Sequence, residues 1–193
     1  SLTRDDFPIT QLNSPRTAII GNSLLLLISL TLLVLSVRWT AASVFVGRGL
    51  SVIEESGTPW ADTQSAADAL TLFSRATELN PLAADAWLFR AKTLSGLDSK
   101  DLSSPLFAHA LQLRPQSASL WVEYAEHSLK QGAPASDTLA RLNNALAFAP
   151  YKPSVRKSEL RISFALWNDL NEDQRERLFA SILQQEIAFF DEN

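Results

Sequence analysis

The sequence predicts an all-α chain: one N-terminal transmembrane helix, then a short superhelix of helical repeats closed by a C-terminal capping helix. Three observations carry this. Ala18 to Val37, AIIGNSLLLLISLTLLVLSV, runs twenty residues without a charge. Beyond it, apolar residues recur at helical spacing, and no stretch alternates with period two long enough to make a strand. Finally, helix-breaking residues fall at even intervals, with Pro81, Pro115 and Pro150 set 34 and 35 residues apart.

Residues 1–16 read as an irregular tail, holding Pro8, Pro15, Asp5 and Asp6 without periodicity. Residues 17–38 form the transmembrane helix. At about 1.5 Å rise per residue, twenty residues span roughly 30 Å, the thickness of a bilayer's hydrocarbon core. A soluble helix of this composition needs burial on every side, which a small chain does not provide. A cleaved signal peptide is the alternative, but the run is long for a signal core and lacks a convincing small-x-small site. The flanking charges are even, Arg4 and Arg16 before and Arg38 and Arg48 after. The free amino terminus tips orientation toward a cytoplasmic N-terminus. The expectation is a single-pass protein of a bacterial inner membrane with a periplasmic repeat domain.

Residues 39–62 form a juxtamembrane segment or first helix, WTAASVFVGRGLSVIEE, interrupted at Gly57, Thr58 and Pro59. Residues 63–193 form the repeat domain. Within it ATELNPLAADAWLFRA (76–91) returns 34 residues later as ALQLRPQSASLWVEYA (110–125). Ala69, Phe73 and Ala76 precede Pro81 as Ser103, Phe107 and Ala110 precede Pro115; Leu142 and Ala145 take the same places before Pro150. The small residues let paired helices approach, the aromatics fill the groove between them, and proline ends the second helix.

This pattern resembles the tetratricopeptide repeat (TPR), whose 34-residue unit has a Trp-x2-Leu-Gly-x2-Tyr helix, an Ala-x3-Phe helix and a terminal Pro. The match runs from about Ala66 to Trp167. Trp87, Ala91, Phe107, Ala110, Pro115, Trp121 and Ala125 fill the structural slots; Arg90 and Tyr124 stand where Leu is usual, and Arg156 takes the Trp slot of the last unit. Trp87→Ala and Trp121→Ala are each expected to cost roughly 3–5 kcal/mol if these residues fill core grooves. The resemblance implies an inner surface made by the first helix of each unit: Asp85, Leu88 and Lys92, then Ser119, Val122 and Glu126. Members that clamp acidic C-terminal peptides place several Lys, Arg and Asn residues there; this chain offers one lysine and two acids. Glu172 to Phe190 reads as the capping helix. Asn171 and Gln174 form a box-like start, with Leu178, Ile182 and Phe189 beside Phe179, Leu183, Ile187 and Phe190 as a wide apolar stripe.

Chemistry is sparse. There is no cysteine, which excludes a disulfide framework, a thiol nucleophile and a cysteine metal site. Of two histidines, His109 sits among packing residues, and His127 follows Glu123 by four, half a metal site with no second half. No phosphate loop, nucleophile elbow or zincin motif occurs, so no enzyme activity, metal or cofactor is expected. From Glu54 onward there are 19 acidic and 13 basic residues, a balance that opposes nucleic-acid binding. One basic group stands out: Lys152, Arg156, Lys157 and Arg161, expected as a ridge facing an acidic polysaccharide, anionic lipid or acidic partner.

The function expected is a non-catalytic, membrane-anchored scaffold or assembly subunit of an envelope complex, with protein partners at the membrane. The layout resembles the anchored TPR accessory proteins of exopolysaccharide synthesis, the VpsP-like group. The alternative is a tethered adaptor or chaperone that delivers protein clients to a secretion or division machine.

Overall fold

A computed structural model of the chain describes residues 15–55, 63–97 and 99–191, without the side chains of 15–18, 100 and 184–191. The tail 1–14, the break at Gly57–Pro59, and the side chains of Ile187, Phe189 and Phe190 lie outside the described residues. All regular structure described is helical: α1 (Pro15–Glu55), α2 (Thr63–Leu79), α3 (Ala84–Gly96), α4 (Lys100–Leu113), α5 (Ala118–Lys130), α6 (Ala135–Phe148), α7 (Pro153–Ala165) and α8 (Glu172–Asp191). A 3-10 turn at Trp167–Asp169 links the last two.

Helix α1 begins at Pro15, inside the expected tail, where a missing N–H costs nothing. It continues for 41 residues, about 60 Å, through the expected boundary at 38/39 without a break. Its N-terminal part is long and apolar enough to cross a membrane, and none of its most apolar window is buried in protein. From Ala42 onward the same helix is a packing element. Ala42 meets Ala76 and Ala86, and Ile53 meets Ala69 and Phe73. Thus α1 and α2 make a hairpin like α3–α4 and α5–α6, and the array starts one helix earlier than the sequence match. At Gly49 an added Cβ would lie 2.5 Å from Phe73 Cε1, so only glycine admits the ring.

The repeat register emerges cleanly. Ala69, Ser103 and Thr138 are buried at one slot, Phe73, Phe107 and Leu142 at the next, and Ala76, Ala110 and Ala145 at the third. Ala91 and Ala125 are sealed opposite them. The tryptophans do something the spacing did not suggest. Trp87 Nε1 donates to the Pro81 carbonyl at 2.9 Å, and Trp121 Nε1 donates to the Pro115 carbonyl at 2.8 Å. Each ring is half-buried and ties its own helix to the turn before it, rather than plugging the groove as a sealed core residue. Between α5 and α6, Gly132 takes φ +66°, and Gly132 and Ala133 donate to the Leu129 and Ser128 carbonyls, a Schellman stop. The capping box of α8 is present: Gln174 N donates to Asn171 Oδ1 and Asn171 N to Gln174 Oε1, both at 2.9 Å.

Candidate functional site

Three regions hold the side chains singled out by sequence: the faces of α3 and α5, the basic residues of α7, and the outer face of α8.

The six inner-surface residues do not line an open groove; Asp85 braces the end of its own hairpin, and the other five stitch one unit to the next. Asp85 takes a two-pronged contact from Arg114, at 3.0 and 2.6 Å. Lys92 bonds Glu123 at 2.8 Å. One unit on, Ser119 accepts from Lys152 at 2.9 Å, and Glu126 accepts from Ser158 at 2.8 Å and from Arg161. The Lys92–Glu123 and Glu126–Ser158 contacts occupy equivalent slots, with an acid in place of the lysine and a neutral hydroxyl in place of the acid. Leu88 and Val122, expected on the surface, are only 9% exposed. Leu88 packs with Leu120, and Val122 with Val155, in the seams between successive first helices. With only a few units, that face is consumed by contacts between neighbours. Asp85 and Ser119 retain the greatest accessibility of the six.

The basic ridge is likewise dispersed. A five-residue offset rotates about 140° on a helix, so the 152/156 and 157/161 pairs do not share a face. Lys152 and Arg161 reach α5; Arg156 turns to Glu159 at 2.7 Å and Ser181 of α8 at 3.1 Å. Lys157 stands in the slot of Leu88 and Val122 one unit on. Among the described residues no further first helix covers that slot, and Lys157 is exposed.

Helix α8 divides its stripe. Leu178 is buried and Ile182 half-buried, while Phe179 and Leu183 are more than half exposed. Phe179 meets Trp167 edge-on at 5.8 Å, and Trp167 stacks on exposed Phe164 at 6.0 Å, with Arg175 over the indole at 5.1 Å. A cavity of about 220 Å³ opens between α6, α7 and α8, with Leu146, Leu170 and Leu178 beside Asn143 and Glu159.

The histidines separate from the metal idea. His109 meets the Trp87 ring edge-on at 4.5 Å. His127 is buried and turned from Glu123: Ser95 Oγ lies 2.9 Å from Nδ1, and Ser103 and Ser104 Oγ lie 3.2 and 3.0 Å from Nε2. Burial, then the charges of Arg141 and Lys130, push its imidazole down to about 4. It is a neutral strut between units, stacked on Phe107 at 4.7 Å. Among the described residues no three His, Asp or Glu gather in a way that could hold a metal. The hydroxyl cage was not readable from spacing, because its members come from α3, α4 and α5.

No family model and no curated relative matches the chain. Solved structures do. The Arabidopsis OM64 TPR domain is 14% identical over 65% of this chain and 96% of that one, with a TM-score of 0.55. The MSR-1 form of MamA is 12% identical over 79% of each chain, with a TM-score of 0.54. Its AMB-1 form is 14% identical over 79% of this chain and 74% of that one, at 0.52. Identities this low speak to fold alone, and on that the helices and the neighbours agree: the chain has a TPR-like fold behind a long apolar helix.

Proposed function

We propose that this chain is a single-pass, non-catalytic scaffold that assembles protein partners at a bacterial inner membrane, with its repeats on the periplasmic side. The observation that carries the reading is the unbroken α1, apolar and unburied over its first half and helix one of the array over its second. A flexible linker would let the array sample a wide volume. A shared helix instead holds it at fixed height and orientation, which suits a fixed neighbour and raises the effective concentration of membrane partners. The partner surface is the α7–α8 end, where Phe164, Trp167 and Phe179 form an aromatic face and Leu183 adds exposed aliphatic surface. Of the six inner-surface residues, Asp85 and Ser119 are the most accessible and offer a separate, smaller contact on α3 and α5. The narrower assignment, an assembly subunit for polysaccharide synthesis or export, rests on layout. Lys157 is the one member of the basic group free among the described residues to meet an acidic glycan.

The test is gentle detergent extraction, capture through a C-terminal tag, and stoichiometry by mass spectrometry. One membrane partner at a fixed ratio is expected, released by Phe179→Ser. A broad set of substoichiometric soluble clients would replace this reading with the tethered adaptor.

A further inference from the structure

Helices alternate direction along the array, so α2 runs back toward the end of the apolar run. The corner joining α2 to α3 (Asn80–Ala83) therefore returns to the level at which α1 leaves its apolar stretch. Two contacts fix it there. Arg38 Nη2 donates to the Glu78 carbonyl at 3.1 Å, capping the negative end of the α2 dipole with a cation. Asn80 shares one hollow with Leu32, Leu35, Ser36, Trp39 and Thr40, so the corner stands beside the last turns of the apolar run.

Leu82, at the tip of that corner, is 65% exposed, and Trp39 is 46% exposed. Asn80 Oδ1 accepts from the Leu82 amide at 3.1 Å, which fixes the turn that presents the side chain. The hollow's walls grade from Leu32 and Leu35 to Ser36, Thr40 and Asn80, the same apolar-to-polar gradient as a bilayer's interfacial zone. An indole at this level is a common interfacial anchor.

We propose that Trp39 and Leu82 form a second membrane contact, seating the α2–α3 corner in the interfacial zone of the bilayer and fixing the tilt of the array. The inference rests on the reading that α1 spans the membrane. Arg38, the cation at this corner, is committed to the α2 carbonyl. The side chains presented to the bilayer, Trp39 and Leu82, are apolar, so the contact needs no anionic lipid.

The chain contains no cysteine, so single cysteines report without background. Leu82→Cys, Leu27→Cys and Ser136→Cys are labelled with an environment-sensitive fluorophore in the full chain and reconstituted into phosphatidylcholine vesicles. Ser136, at the start of α6, lies on the opposite side of the array, away from the α2–α3 corner. Position 82 is expected to be blue-shifted and quenched at least threefold more than position 136 by shallow spin-labelled lipid, equally with or without phosphatidylglycerol. Position 27 is quenched by deep spin-labelled lipid. If 27 is quenched but 82 behaves like 136, the corner contact is wrong and the span stands. If 27 is not quenched, the span itself is wrong and the corner contact falls with it. Quenching at 82 only with phosphatidylglycerol would replace the apolar contact with an electrostatic one.

Discussion

Where α1 meets α2, the joint is made by backbone proximity: Ala42, Gly49, Ala66, Ala69 and Ala76 let the helices close on the fully buried Phe73 ring. Where α7 meets α8, it is made by Arg156, Glu159 and Ser181, while Phe164 and Phe179 face outward beside it. The first kind of contact tolerates almost no change of shape, because close-packed interiors respond to single methylenes. The second tolerates change and leaves apolar surface uncovered, and uncovered apolar surface of this kind marks interaction sites. A stiff proximal end and an adaptable distal one suit the membrane-held scaffold proposed above.

The comparison breaks first at Phe73. Phe73→Ala is expected to cost about 3–5 kcal/mol, read as thermal or denaturant unfolding of the full chain in detergent. A loss near 1 kcal/mol would make the first hairpin a loose appendage. Gly49→Ala is expected to cost about 1–3 kcal/mol by overpacking. Combined with Phe73→Leu, which vacates the ring edge, it should cost less than the sum of the two single changes.

The middle of the array is polar and yet sealed, and it answers to pH. The folded state holds His127 near 4, against an ordinary 6.5, so between those values the unfolded chain binds more protons. Stability from this group is complete above about 6.5 and falls as pH drops toward 4, by roughly 3 kcal/mol in all. The difference in unfolding free energy between the parent chain and His127→Gln should therefore shrink across that window. A difference independent of pH would mean that the imidazole is solvated in the fold. The cation nearest Tyr124, Arg141 at 4.3 Å from the ring centroid, opposes protonation of His127 from the α6 side.

How far this was legible in sequence follows the same division. Positions that recur at 34 residues, such as Phe73 and Phe107 or Ala76 and Ala110, stand out because one packing problem is solved repeatedly. The first hairpin falls outside the repeat match because a longer connection separates Gly49 from Phe73, so Phe45-x3-Gly49 is out of phase with Trp87-x3-Ala91. Leu88 and Val122 were misplaced for a different reason. A helical face says which residues align, not whether a neighbouring unit covers them. The basic group on α7 failed on angle, since proximity in sequence hid two faces. The cross-braces from Lys92 to Glu123 and from Ser119 to Lys152 join residues 31 and 33 apart, and no local pattern announces them.

Those braces give a smaller test of the seam. Lys92 and Glu123 are about three-quarters buried, which places the pair somewhat above an open surface ion pair in value. A double-mutant cycle with Lys92→Met and Glu123→Gln is expected to give a coupling of about 1 kcal/mol. Coupling near zero would release this face from its structural duty and return Lys92 to the list of partner contacts. Trp121→Phe probes the neighbouring lock, and loss of the bond to the Pro115 carbonyl should cost about 1 kcal/mol.

The smallest stability effect is expected where the functional effect is largest. Phe179 is 53% exposed and meets the Trp167 ring edge-on, so Phe179→Ser should change unfolding free energy little, by about 0.5 kcal/mol. The same change removes the centre of the outward aromatic face, and truncation at the centre of an interface commonly costs 2 kcal/mol or more of binding. Partner recovery should then fall by an order of magnitude or more while the melting curve stays in place. If Phe179→Ser instead unfolds the end of the array with recovery lost in parallel, α8 is only a cap. If recovery is unchanged, the partner docks elsewhere, and the exposed margin at Asp85 and Ser119 becomes the surface to substitute next.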